Sequence, residues 1–187
     1  AVTTLPQVNI TGLWGNTTDL WAASTRPATR TGQLYRLTSN AWQTTGPEIP
    51  TGLNAITGSP ENTTEPDIWA VGNNGAMVHG NGSTWIQTGR GFTSDLQAVW
   101  GTTETDIWAA GASGTLLHSD GNNWRKFDSP TVGTITGLHG TGPNDVWAVD
   151  IAGNVLHYNG TAWSLDAQMP DTNLRAVLTD PTGSIYM

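Results

Sequence analysis

The feature that most constrains this chain is an internal repeat of about 39 residues, and a fold must be sought that such a repeat can build. Residues 96–124 read LQAVWGTTETDIWAAGASGTLLHSDGNNW, and residues 135–163 read ITGLHGTGPNDVWAVDIAGNVLHYNGTAW. Residues 53–85 carry the same pattern with a longer first loop, residues 10–42 with a longer second loop, and residues 174–187 begin a fifth copy. Two tryptophan columns hold the register. The first is Trp21, Trp69, Trp108 and Trp147, each two residues after an aspartate: Asp19, Asp67, Asp106 and Asp145. Tyr186 and Ser184 stand at these places in the fifth copy. The second column is Trp42, Trp85, Trp124 and Trp163. The repeat units run 10–52, 53–95, 96–134, 135–173 and, in part, 174–187.

Each repeat divides into four short apolar runs separated by turn residues. In the third copy the runs are Leu96–Trp100, Ile107–Ala110, Thr115–His118 and Asn123–Lys126. Runs of this length with Asp-Gly or Asn-Gly breaks predict strands joined by tight hairpins, with Gly121 and Gly160 supplying positive φ. The DIWAAG run is apolar on both faces, as expected of a strand covered on both sides. No stretch has a sustained helical period. The chain is therefore expected to be all-β: a single β-propeller domain of four-stranded antiparallel blades over residues 1–187. Four full copies and two strands of a fifth predict five blades. The last blade is then incomplete or closed by the N-terminal segment 1–6, and a fragment of a larger ring is the alternative.

The whole unit, "VWG … DIWA(V/A)G … G(T/N)(L/V)LH … W", resembles repeats of secreted and surface propellers of bacteria, including myxobacteria. It is also similar to photosystem-assembly-type propellers and, in size, to tachylectin-like five-bladed lectins. The hairpins HGNGSTW, HSDGNNW and HYNGTAW resemble Asp-box hairpins but lack the strict Ser-x-Asp-x-Gly spacing. The resemblance covers nearly the whole chain and implies a fold more than an activity, because propellers host many unrelated functions.

Composition narrows the function. Ten Trp among 187 residues give a large apolar core without disulfides, and the chain has no Cys. Thiolate chemistry and Cys-ligated metals are thereby excluded. A net charge of −8 disfavours nucleic acid and anionic membrane as partners. No apolar run approaches the ~20 residues of a membrane-spanning helix. The N-terminus, Ala1-Val2-Thr3-Thr4, reads as a mature or excised end. One Lys and abundant Thr and Asn suggest a secreted or cell-surface protein.

Candidate functional residues follow from the columns and from departures from them. The Asp column sits just before a strand, where each carboxylate is expected to accept backbone N–H groups of its turn. His79, His118 and His157 form another column, with Arg36 in the first copy. Because its members lie on different blades, a shared zinc site is not expected, and packing on the Trp six residues later is. The first-strand column of Trp14, Thr57, Trp100, His139 and Leu178 varies in size and polarity. First strands converge on the axis, so this column either fills a channel or lines an aromatic pocket. Two loops depart from the repeat. Residues 24–32 carry Arg26 and Arg30, and residues 59–66 enlarge a loop of the second copy. Irregular loops on a regular scaffold are common binding sites. The candidate ligand-binding residues are thus Trp14, Trp100, His139, Arg26 and Arg30. Five Asn-x-Ser/Thr sequons occur, at Asn9, Asn16, Asn62, Asn81 and Asn159, and Asn81 and Asn159 are also turn residues.

The six Arg are scattered, and no acidic pair, phosphate loop or His-Glu metal motif is present. The expectation is a non-catalytic, cofactor-free and metal-free binding module, lectin-like and bound to a glycan. A scaffold that binds a surface protein is the alternative.

Overall fold

The computed structural model describes residues 7–17, 19–59, 66–89 and 91–187. The expected pairing of residues 1–6 and most of the enlarged loop 59–66, with its sequon at Asn62, lie outside the described residues. The described chain is all-β, with two three-residue 3-10 turns (Asn73–Gly75 and Ala112–Gly114) and no α-helix. No helix among the described residues is long and apolar enough to cross a membrane.

Every full repeat forms one four-stranded antiparallel sheet in simple chain order. The first holds β1 (Asn9–Gly15), β2 (Leu20–Thr25), β3 (Gly32–Thr38) and β4 (Ala41–Ile49). The second holds β5 (Leu53–Gly58), β6 (Ile68–Gly72), β7 (Met77–Gly80) and β8 (Trp85–Gln87). The third holds β9 (Leu96–Thr103), β10 (Asp106–Gly111), β11 (Thr115–Ser119) and β12 (Trp124–Phe127). The fourth holds β13 (Ile135–Gly142), β14 (Asp145–Asp150), β15 (Asn154–Tyr158) and β16 (Trp163–Gln168). The fifth copy contributes a two-stranded ladder, β17 (Leu178–Thr179) and β18 (Ile185–Tyr186).

The chain divides after Thr93 into two compact units. In the first, β1 packs beside β5; in the second, β9 packs beside β13 and β13 beside β17. Successive sheets of a unit thus meet first strand to first strand. Side-chain bonds tie them together at equivalent places. The Thr11 hydroxyl donates to the Leu53 carbonyl at 2.7 Å, and the Thr136 hydroxyl to the Leu174 carbonyl at 2.7 Å.

Second strands form the core, as their two-faced apolar runs predict: every residue of β6 and β10 is buried. Fourth strands are largely open, and β12 has no buried residue. The tryptophan columns join sheet to sheet. Trp108 of the third sheet meets Trp163 of the fourth edge to face at 5.2 Å between centroids, and also packs on Tyr158 at 4.8 Å. Trp21 and Trp85 make the same edge contact at 6.0 Å in the first unit. Such geometry suits the ring quadrupoles and adds to the burial of area. Trp21, Trp69 and Trp108 are each at most 1% exposed.

The hairpins close as the sequence indicates. Asn81, Asp120 and Asn159 each accept two backbone N–H groups of their own turns through one side-chain oxygen. The following Gly82, Gly121 and Gly160 hold φ near +90°, a conformation that costs other residues strain.

Candidate ligand-binding site

The Asp and His columns come together within each sheet. Register is the reason: Trp69, Trp108 and Trp147 stand directly opposite His79, His118 and His157, and Trp21 stands opposite Arg36. Directly paired residues on one face touch. The imidazoles lie on these indoles, with centroids 3.9 Å apart for His79 and Trp69, 4.5 Å for His118 and Trp108, and 4.2 Å for His157 and Trp147. The Arg36 guanidinium stands 4.9 Å over Trp21. This corrects the expectation that the histidines pack on the Trp six residues later.

Asp106 and Asp145 take side-chain donors, not the backbone donors of their own turns. His118 Nε2 bonds Asp106 at 2.7 Å, and His157 Nε2 bonds Asp145 at 2.8 Å. His79 bonds Asp67 in the same way, and Arg36 grips Asp19 through Nε and Nη2 at 2.8 and 2.6 Å. The indoles of Trp69 and Trp147 donate to Asp67 and Asp145 at 2.9 and 3.1 Å, and Thr102 and Thr141 donate to Asp106 and Asp145. Burial alone would raise the Asp106 and Asp145 carboxyls. The hydrogen bonds from these His and Thr groups, with the His charge, outweigh it and hold both below the ordinary carboxylate value. The Asp–His pair and its Trp stack clamp the second strand to the third in the second, third and fourth repeats, and Asp19, Arg36 and Trp21 do so in the first. The clamp is a repeated structural element, and no group of three or more potential metal ligands occurs among the described residues.

One of these clamps opens onto a cavity. Asp67, His79, Gly80, Asn81, Thr84 and Ile86 line about 190 Å³, with Ile86 58% exposed at its wall.

The first-strand column behaves differently. Trp14, Trp100 and His139 are half-buried, Thr57 is buried, and Leu178 is 54% exposed. In the second unit, β9, β13 and β17 place Trp100, His139 and Leu178 at one register position, opposite Trp108, Trp147 and Tyr186. Trp100 and His139 are in ring contact at 5.7 Å and 43°. The contact exists because position 140 is glycine: a Cβ there would lie 2.7 Å from the Trp100 indole. Trp14 packs on Gly58 of the next sheet in the same way, 2.8 Å from where a Cβ would be. Both indoles therefore lie across the neighbouring first strand, half-buried and packed against the edge of the core.

His139 is held firmly. The Thr179 N–H donates to its Nδ1 at 3.1 Å, and the Thr179 hydroxyl lies 2.8 Å from the same atom. Burial pushes the imidazole below its ordinary value, which favours the neutral ring. A neutral ring whose Nδ1 accepts an amide proton carries its own proton on Nε2. That Nε2–H has no protein partner among the described residues.

Arg26 and Arg30 are not part of this row. They sit in the β2–β3 connection, and Arg26 lies roughly 16 Å along the strand from Trp21, the cross-strand neighbour of Trp14. Arg26 pairs with Glu48 at 3.2 Å on the surface, and Arg30 is exposed with φ +58°. Thr179 is the residue that sequence reasoning missed. It is brought to His139 by packing between sheets, and no local pattern signals it. The Asp–His pairs did leave a signal: Asp and His recur twelve residues apart in three copies, and Arg replaces His in the first.

No protein-family profile and no curated protein sequence matches this chain. Among solved structures, it is similar to the extracellular domain of a hybrid two-component system from B. thetaiotaomicron. The TM-score is 0.65 at 16% identity, over 97% of this chain and 27% of that one. The likeness is one of fold. The chain spans about a quarter of that protein's chain.

Proposed function

We propose that this chain is a non-catalytic carbohydrate-binding module whose four-stranded sheets are blades of a β-propeller. Five blades, the last begun by β17 and β18, fit the repeat count. Meeting of successive sheets first strand to first strand supports the radial reading, since blades converge by their first strands. The observation that carries the function is the face formed by Trp100, His139 and Leu178. It offers a half-buried indole, an aliphatic side chain and an unspent N–H donor. Ligand sites combine apolar surface with a few placed polar groups in this way, and sugars present both an apolar C–H face and hydroxyls. The indoles of the first column do not serve this role, because the core consumes their faces.

Recurrence of the Asp–His clamp in the second, third and fourth repeats, with Arg36 in place of His in the first, supports a scaffold role for it. The extracellular character of the similar domain from B. thetaiotaomicron and the low Lys content support a secreted or surface location. The acidic charge of −8 argues against nucleic acid as the partner. A multivalent glycan array at physiological salt tests the reading. Binding to neutral glycans is expected, and absence of any signal at high valency would refute it.

One observation favours a protein partner instead. Val132 is 90% exposed, Ile151 42% and Met169 37%, and they lie in loops tied together by the bonds from Ile151 to Thr134 and from Met169 to Gly153. A pull-down that recovers one stoichiometric protein through this patch would favour the scaffold reading.

A further inference from the structure

The carbohydrate reading leaves open which atom reads the ligand, and the geometry around His139 settles on one. We propose that Thr179 locks His139 in the Nε2–H tautomer, so that Nε2–H donates to a hydroxyl oxygen of a neutral pyranoside stacked on Trp100. The inference rests on the reading of the chain as a carbohydrate-binding module. A filler histidine would need neither a fixed tautomer nor a fixed ring plane. Here a main-chain amide at 3.1 Å and a hydroxyl at 2.8 Å both meet Nδ1. The second nitrogen is left with a proton and no protein acceptor among the described residues. On a half-buried ring, such a donor is free to pair with a ligand oxygen.

The surroundings specify the rest of the ligand. Trp100 lies 5.7 Å from the imidazole, and Leu178 is open beside it in the register. A ring with an apolar face and a peripheral oxygen satisfies all three residues together. The ligand is neutral because the protein carries −8 and no cation faces this row among the partners of Trp100, His139 or Thr179. A carboxylated sugar would be repelled by the overall field. The role of Thr179 is one of positioning: it acts through His139 and does not itself touch the sugar.

The test combines two readouts on the full chain. Long-range 1H–15N correlation of the imidazoles reports the tautomer without any ligand, and a His139 ring protonated on Nε2 is expected. A ring protonated on Nδ1 overturns the proposal. Calorimetry then uses methyl glycosides of galactose, glucose, mannose and N-acetylglucosamine, with N-acetylneuraminic acid as the charged comparison. His139→Gln, whose amide nitrogen stands near the position of Nε2, should hold affinity within ~3-fold. His139→Phe, which keeps the ring and loses the donor, should lose ~5- to 10-fold. Thr179→Pro, which deletes the amide donor, should mix the tautomers and lose affinity by a similar factor. Unchanged thermal transitions confirm that each variant is folded, and should Thr179→Pro fail to fold, the two His139 variants decide alone. Glycoside binding that is indifferent to His139→Phe overturns the inference and leaves the carbohydrate reading standing. Preference for N-acetylneuraminic acid also overturns it. No binding of any glycoside by the wild-type chain refutes the carbohydrate reading itself, and the inference with it.

Discussion

Replacing Trp108 by alanine tests the packing that holds neighbouring sheets together. Trp108 is 0% exposed and touches His118, Phe127, Tyr158 and Trp163. Burial of an indole removes about 150–250 Å² from water, which at about 25 cal/mol per Å² gives an upper figure near 4–6 kcal/mol. Truncations of large aromatics in cores cost about 3–5 kcal/mol. One term acts in the other direction. The Trp108 indole N–H is buried with no hydrogen-bond partner among the described residues, and an unpaired buried donor costs about 1–3 kcal/mol. Its removal relieves that cost, so a net loss of about 3 kcal/mol is expected. For a chain of this size that lowers Tm by roughly 6–12 °C. Trp108→Phe keeps much of the ring contact and drops the unpaired N–H, so its loss should be about 1 kcal/mol. Thermal unfolding followed by near-UV circular dichroism and calorimetry measures both. A loss below about 1 kcal/mol for the alanine variant would refute the claim that this indole holds the third and fourth sheets together.

Three further outcomes follow from the same geometry. Gly140→Ala places a methyl 2.7 Å from the Trp100 ring and 2.4 Å from the Asp145 carbonyl. It should destabilise by about 1–3 kcal/mol in denaturant titrations and displace Trp100, which a shift in its fluorescence would report. Asp150→Ala leaves the amides of Ala152 and Asn154 and the Thr131 hydroxyl without their buried acceptor. A loss of about 2–3 kcal/mol in the same titration is expected. Acid should unfold the chain through the clamps. The Asp106 and Asp145 carboxyls are lower when folded than unfolded, so the unfolded state binds more protons as they titrate. Their stabilisation is complete above the unfolded value of about 3.9 and is lost as pH falls through the folded value. Tm measured from pH 6 to pH 2.5 should drop most steeply below pH ~4, and Asp106→Asn should flatten that drop.

Much of the architecture was legible because one repeat states it several times. The column of Trp69, Trp108 and Trp147 placed the second strands, and the Asn-Gly and Asp-Gly pairs placed the last hairpins. The clamp was misread for a physical reason. Nearness along the chain suggested that Asp106 serves its own turn and that His118 packs on Trp124. The ladder instead sets Trp108 directly opposite His118, so the imidazole covers that indole and reaches Asp106 across the hairpin. Register between strands, not distance in sequence, decides such contacts. In the candidate site, Trp100 and His139 were visible as variable members of an otherwise regular column. Arg26 and Arg30 drew notice as loop residues, but strand length carries them away from that column. Thr179 was invisible, since it reaches His139 only after two sheets have packed.

The most direct test of the account uses the ten indole N–H groups as built-in reporters. A 1H–15N spectrum recorded while a neutral methyl glycoside is added should move the Trp100 indole resonance and leave those of Trp21, Trp69 and Trp108 in place. Saturation with no change at Trp100, or movement confined to the core indoles, would contradict the placement of the ligand on this face.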